Sequence, residues 1–365
     1  SPANDNHPKI TGQAEDGALV RIFRSEDCSG EPLASLSAFD LQAEGAAVEV
    51  VDDSTTRFSA TATDEAGNVS GCSEPVTYIE DSTPPPPPAL ELASDSPANN
   101  NSPRITGQAE DGAQVQIFRS SNCSGSPVVS VAAAELQSVG ATVPVEDDST
   151  SQFSARAVDA AGNASGCSPP ISYVEDSTPP APPNLDLSPR PPANHNKPKI
   201  TGRAEAEAAV RIFHGPNCAG GPLASLSAAE LRNDGITVEV GDDTTTRFSA
   251  VATDEAGNVS KCSRPAVYVE DSTPPQTAIK AGPKRKIRSK KNKVLVRFRV
   301  RANEKGSSFQ CRLDRKPFRR CKANFKARVR VGRHRFQVRA IDKAGNVDPT
   351  PAKRAFRVIK TKRKR

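Results

Sequence analysis

Short stretches of alternating or mixed apolar and polar residues fill this chain, and none sustains a 3.6-residue apolar period long enough for a substantial helix. Within the first ninety residues, Val20–Phe23, Val48–Val51, Phe58–Thr63 and Val76–Ile79 are β-rich runs bounded by Gly, Asn, Asp, Ser or Pro. Punctuated runs of this kind predict short strands joined by turns, which bury their apolar side chains between two sheets. "SAFDL" at 37–41 and "SAAEL" at 227–231 predict one helical turn each.

The pattern repeats. "PKITGQAEDGALVRIF" at Pro8–Phe23 returns at Pro103–Phe118 and Pro198–Phe213, 95 residues apart each time. "DEAGNVSGC" at Asp64–Cys72 recurs at Asp159–Cys167 and Asp254–Cys262, and "EDSTPP" closes each unit. A fixed long period means tandem copies of one small domain. Proline-rich joints such as Asp81–Leu90 favour stiff polyproline II spacers, so the copies are expected to string into an extended rod.

Composition fits several thin cores rather than one large one: 365 residues, 4% aromatic, no Trp and no Met. No apolar run approaches the roughly 20 residues of a membrane span. Ser1 is not an initiator, so the sequence reads as a fragment or processed form whose export signal lies upstream. Eight cysteines fall into pairs: Cys28 with Cys72, Cys123 with Cys167, Cys218 with Cys262, and Cys311 with Cys321. One pair per small domain reads as disulfides formed in an oxidising compartment. No CxxC occurs and no Cys has a nearby His at zinc spacing.

"ATDEAGNVS" followed by "EDSTPP" at this period resembles the immunoglobulin-like repeats of bacterial cell-surface and adhesin-type proteins, the Cys-paired variety common in exported actinobacterial proteins. "SSFQCRLDRKPFRRC" and "VRAIDKAGNVDPTPA" resemble another exported Ig-like module. The resemblance implies an all-β protein of tandem immunoglobulin-like β-sandwich domains, with stalk, spacer or ligand-presenting roles outside the cell. The expected domains are 1–83, 84–178, 179–273 and a divergent basic domain at 274–365.

Catalytic chemistry has little footing. His7, His195, His214 and His334 stand in unrelated contexts, and there is no GxSxG, HExxH or phosphate-cradling Gly loop. The expectation is a non-enzyme without a cofactor. Asp-x-Ala-Gly-Asn occurs four times, at Asp64, Asp159, Asp254 and Asp342, and reads first as a tight turn. A structural calcium ion is the sharper alternative, with Asp64, Asp81, Asp159, Asp176, Asp254 and Asp271 as candidate ligands near the joints. Asn68, Asn163 and Asn258 each match the glycosylation sequon inside this motif, as chance matches if the source is bacterial.

Charge supplies the strongest functional lead. Residues 276–365 hold 33 Lys and Arg against 4 acidic residues, a net of +29, whereas residues 1–275 carry a net of −23. "VLVRFRVR" at Val294–Arg301 and "FKARVRV" at Phe325–Val331 alternate apolar residues with cations, which sends the cations away from a core. Arg297, Arg299, Arg301, Arg328, Arg330, Arg335 and Arg339 are expected on one anion-binding face. Arg suits phosphate and carboxylate because its planar fork binds both oxygens at once. The expected partner is an anionic cell-envelope polymer; nucleic acid, self-association with the acidic repeats, and attachment to a catalytic domain upstream of Ser1 are the alternatives.

Overall fold

The computed structural model describes residues 1–361; the end of the basic tail, 362–365, lies outside them. The chain is all-β, a series of immunoglobulin-like sandwiches with separate apolar cores. It divides into two compact units, Ser1–Thr178 with the first two repeats, and Pro179–Arg365 with the third repeat and the basic domain.

The second repeat shows the common plan. Val129–Ala132, Gln114–Phe118, Thr150–Val158 and Ile171–Val174 form one four-stranded antiparallel sheet in that order. Ala141–Thr142, Arg104–Gln108 and Ala89–Leu92 form the facing sheet. Period-two alternation places Val115, Ile117, Phe153, Ala155 and Tyr173 in the core between them. The helical turns are present at Ala38–Ala43 and Ala228–Asn233, with a third at Ala133–Ser138. Ser37 and Ser227 cap the first two through their side chains.

Val48–Val51 is not a strand. Only Ala46–Ala47 pairs in that region, with Lys9–Ile10. Val48 and Val50 are buried, but their amides donate to Pro8 O and Asn6 O. Pro8 has no N–H to return, so the ladder cannot continue.

All four disulfides form, Cys28–Cys72, Cys123–Cys167, Cys218–Cys262 and Cys311–Cys321. The first three each close a 44-residue separation, which in the chain-entropy account contributes about 4 kcal/mol. Cys28, Cys123 and Cys218 adopt left-handed backbone, φ 58, 56 and 54, at the turn that brings them to their partners.

The basic domain packs a three-stranded sheet of Thr277–Ala281, Lys293–Ala302 and Asn324–Arg330 against a five-stranded one. The five run Lys286–Ser289, Ala352–Lys360, Gly332–Ile341, Ser308–Leu313 and Arg319–Cys321. Between the sheets lie Phe298, Phe336 and Phe356 with five buried valines and Cys311; Phe298 stacks on Phe336 with centroids 3.9 Å apart. No helix among the described residues is long and apolar enough to cross a membrane.

Candidate functional site

The seven arginines expected on one face occupy two. Arg297, Arg299 and Arg301 point outward from Lys293–Ala302, and Arg328 and Arg330 from the adjoining Asn324–Arg330. Arg335 and Arg339 belong to Gly332–Ile341 in the other sheet. Alternation directs every one of these cations away from the same core, but the strands lie on opposite sides of that core, so the outward directions oppose each other.

Like charges do face one another. Arg297 pairs in register with Lys326, and Lys293 with Arg330. On the five-stranded sheet Lys286, Arg357 and Arg333 stand abreast across three strands. Each such opposition destabilises the sheet modestly in the free domain.

The five-stranded face is the broader of the two. Its outward positions are Lys286 and Arg288, then Lys353 and Arg357, then Arg333, Arg335 and Arg339, then Arg312, then Arg320. None of these nine cations makes an ion pair among the described residues. The one acid nearby, Asp314, accepts from His334 Nδ1 at 2.9 Å and from the Arg335 amide. Two shallow, open depressions of about 810 and 920 Å³ share Arg333, His334 and Ala355.

Arg312 and Arg339 are held in place. The Nε of Arg312 donates to Gln337 Oε1 at 2.7 Å, and that of Arg339 to Gln310 Oε1 at 2.9 Å. Both guanidinium carbons lie 4.5 Å from the Phe318 ring centroid. Neither uses its Nη amines on the protein among the described residues, so both forks remain available to an anion with their rotamers already fixed. Arg312 and Phe318 were not singled out by the sequence pattern: Arg312 is the one cation of its strand, Ser308–Leu313, and Phe318 lies in the turn after it, where no alternation runs.

The acidic candidates also redistribute. Asp64 and Asp159 accept from both the backbone and the side chain of the motif Asn four residues later, as a closed turn requires. Asp254 accepts the Asn258 amide, while Asp81 and Asp176 accept the amides of Thr83 and Thr178. Asp271 joins a carboxylate cluster with Glu304 and Asp342, their oxygens within 4.8 Å of one another. Desolvation, then the Asp342 charge, pushes both Asp271 and Glu304 above the usual carboxylate range. Asp342 Oδ2 is buried without a hydrogen bond. Glu304 was not singled out from the sequence because its strand-to-strand turn, residues 303–306, lies far along the chain from both Asp271 and Asp342.

The motif Asn has a second role within each unit. Asn163 Nδ2 donates to Asp81 O at 2.8 Å, and Asn346 Nδ2 to Asp271 O at 2.7 Å. Each Oδ1 accepts from an Asn of the preceding repeat, Asn4 or Asn194. The turn of one domain thereby clasps the exit of the domain before it. With both ends of the buried Asn163 amide engaged, that sequon position has no room for a glycan.

No family model matches the chain, and no curated protein matches it. Among solved structures, the chain is similar to immunoglobulin domains 1–5 of Sidekick-1, at 12% identity over 93% of this chain and 73% of that one, with a TM-score of 0.34. It is also similar to the FN1–FN3 domains of chicken CNTN1, at 11% identity over 75% of this chain and all of that one, TM-score 0.29. The fibronectin(III)-like modules of Clostridium thermocellum CbhA align at 13% identity over 48% of this chain and 95% of theirs, TM-score 0.30.

Proposed function

We propose that this chain is a non-catalytic, exported bacterial surface protein in which the acidic repeats act as a spacer. In this adhesin-like reading, the basic domain holds a linear anionic polymer of the cell envelope. The observation that carries it is the five-stranded face: nine outward cations, none ion-paired among the described residues, with two guanidiniums fixed by Gln and Phe318. A surface that bears its own repulsion is relieved when a polyanion covers it. Four disulfides fit an oxidising compartment outside the cytosol.

The test is co-sedimentation of the full chain with purified cell-wall sacculi across a salt series, beside duplex DNA. Wall binding that falls with salt and is weakened by Arg333→Thr/Arg357→Thr supports the proposal. Stronger binding to DNA makes it a nucleic-acid surface instead. Salt-sensitive association of the chain with itself turns the face toward the acidic repeats. Binding to none of these removes the anionic partner.

A calcium ion at Asp271, Glu304 and Asp342 is a second reading, favoured by the clustered oxygens and the unbonded Asp342 Oδ2. These hard oxygen donors suit that ion, and it would neutralise their repulsion. Calorimetric titration of the full chain with calcium, repeated on Glu304→Gln, tests it: heat in both or in neither rejects the site.

A further inference from the structure

Behind the five-stranded face, on the far side of the core, the basic domain carries a second charged surface. Arg297, Arg299 and Arg301 stand exposed on Lys293–Ala302, and Lys326, Arg328 and Arg330 on the adjoining Asn324–Arg330. The apolar residues that alternate with them, among them Val296, Phe298 and Val329, are buried in the core. Successive outward positions on a strand are about 7 Å apart, so the cations stand in two columns. A shallow depression of about 370 Å³ lies among Arg297, Arg299, Asn324 and Lys326.

Two ordinary reasons for such a surface fail here. Cations often blunt an edge strand against pairing with another chain. Asn324–Arg330 is an edge, but Lys293–Ala302 lies between it and Thr277–Ala281 and has no edge to protect. Nor do acids of the same domain balance the face. Residues 276–365 hold four, and each is engaged elsewhere. Glu304 and Asp342 cluster with Asp271, and Asp314 holds His334 and the Arg335 amide. Asp348 is buried and accepts from the amides of Thr277 and Thr350. Arg297 meanwhile stands opposite Lys326 in register, a like-charge pair that costs stability until an anion covers it.

We propose that the basic domain is bivalent: its three-stranded face binds a second strand of linear anionic polymer, so that one chain bridges two polymer strands. The bridge rests on the anionic-polymer reading of the five-stranded face and extends it. The two faces point away from each other across sheets packed about 10 Å apart. A polymer lying along one face reaches the cations of the other only by turning round an edge of the domain. The faces also differ in kind. Gln310, Gln337 and Phe318 fix two guanidiniums on the five-stranded face. The six cations of the three-stranded face make no ion pair or side-chain hydrogen bond among the described residues. Fixed forks lose less side-chain freedom on binding, so the five-stranded face holds its polymer more tightly and the three-stranded face releases its own at lower salt.

The test is a sandwich. The full chain is loaded onto beads carrying long-chain inorganic polyphosphate, washed, and offered fluorescent polyphosphate; a parallel arm with polyglutamate separates phosphate from carboxylate as the favoured anion. The loaded chain is expected to capture the labelled polymer at low salt and to release it before it leaves the beads. Arg297→Thr/Arg299→Thr/Arg328→Thr still loads, which shows that the domain is folded, but captures less by about tenfold or more. Loading without capture in the wild-type chain overturns bivalence and leaves the anionic-polymer reading standing. Equal capture by the triple variant also overturns it, since the second site then lies elsewhere. Failure to load on either polymer removes the anionic-polymer reading itself, and the bridge with it. Sedimentation velocity without polymer supplies the remaining check: self-association that the triple variant abolishes assigns the face to the acidic repeats of a second copy and overturns the proposal.

Discussion

Removing the Cys123–Cys167 bridge tests both the thinness of these cores and the local cost of the left-handed turn. The two residues are 44 apart in sequence, and opening that loop in the chain-entropy account costs about 4 kcal/mol, a large share of a small domain's usual stability. The variant Cys123→Ser/Cys167→Ser carries that loss and keeps a non-glycine residue at φ 56. Cys123→Gly/Cys167→Ser carries the same loss but relieves roughly 1 kcal/mol of left-handed strain. The chain has one tyrosine per repeat, Tyr78, Tyr173 and Tyr268, and no Trp. In a background of Tyr78→Phe and Tyr268→Phe, intrinsic fluorescence therefore reports on repeat 2 alone, through the fully buried Tyr173. Urea unfolding is expected to show the Ser/Ser variant about 4 kcal/mol below the bridged protein and Gly/Ser about 1 kcal/mol above Ser/Ser. A loss below about 1 kcal/mol would refute the loop-entropy reasoning, and equal Ser/Ser and Gly/Ser midpoints would refute the strain argument.

Arg357 stands between Lys286 and Arg333, so Arg357→Thr should raise the basic domain's stability at low salt by about 0.5–1 kcal/mol while weakening sacculus binding; calorimetry and sedimentation on one variant separate the effects. Asp271 and Glu304 are held above the ordinary carboxylate range, so the folded state favours their protonated forms. Stability from this source is present at acid pH and is lost as pH rises through the raised values. Glu304→Gln should therefore melt higher than wild type at neutral pH and lose that advantage in acid, and calcium should raise the melting point of wild type only. Asp53, Asp148 and Asp243 are held below the usual range, first by the hydroxyls of Thr83, Thr178 and Thr273. Their contribution is present at neutral pH and lost as pH falls through the lowered values, so Thr178→Val should flatten the acid limb of a pH–melting profile. Asn346→Ala removes two hydrogen bonds at a buried clasp and should cost about 1–3 kcal/mol, read as faster hydrogen exchange around Asp271.

The repeats, the disulfide partners and most strands were legible because each depends on nearby spacing: a 95-residue period, 44-residue cysteine intervals, alternation within a run. Val48–Val51 misled because β-rich composition does not reveal that the facing residue is a proline without a donor. The glycine of "ITGQ" looked like part of a repeat, and its reason at Gly107, the approaching carbonyl of Ala89, was visible only in the structure.

The amino-acid sequence alone determined that the chain is a set of small disulfide-tied β-domains, acidic before residue 276 and strongly basic after it. Alternation also determined that the cations turn away from a core. Only the tertiary structure decided which side of the core each strand occupies, and so divided seven arginines into two opposed sets. It alone brought Asp271, Glu304 and Asp342 together from three distant segments. The physical reason is common to both. Side-chain direction is a local property of a strand, whereas the neighbour across a sheet, a loop or a joint is set by how whole strands pack.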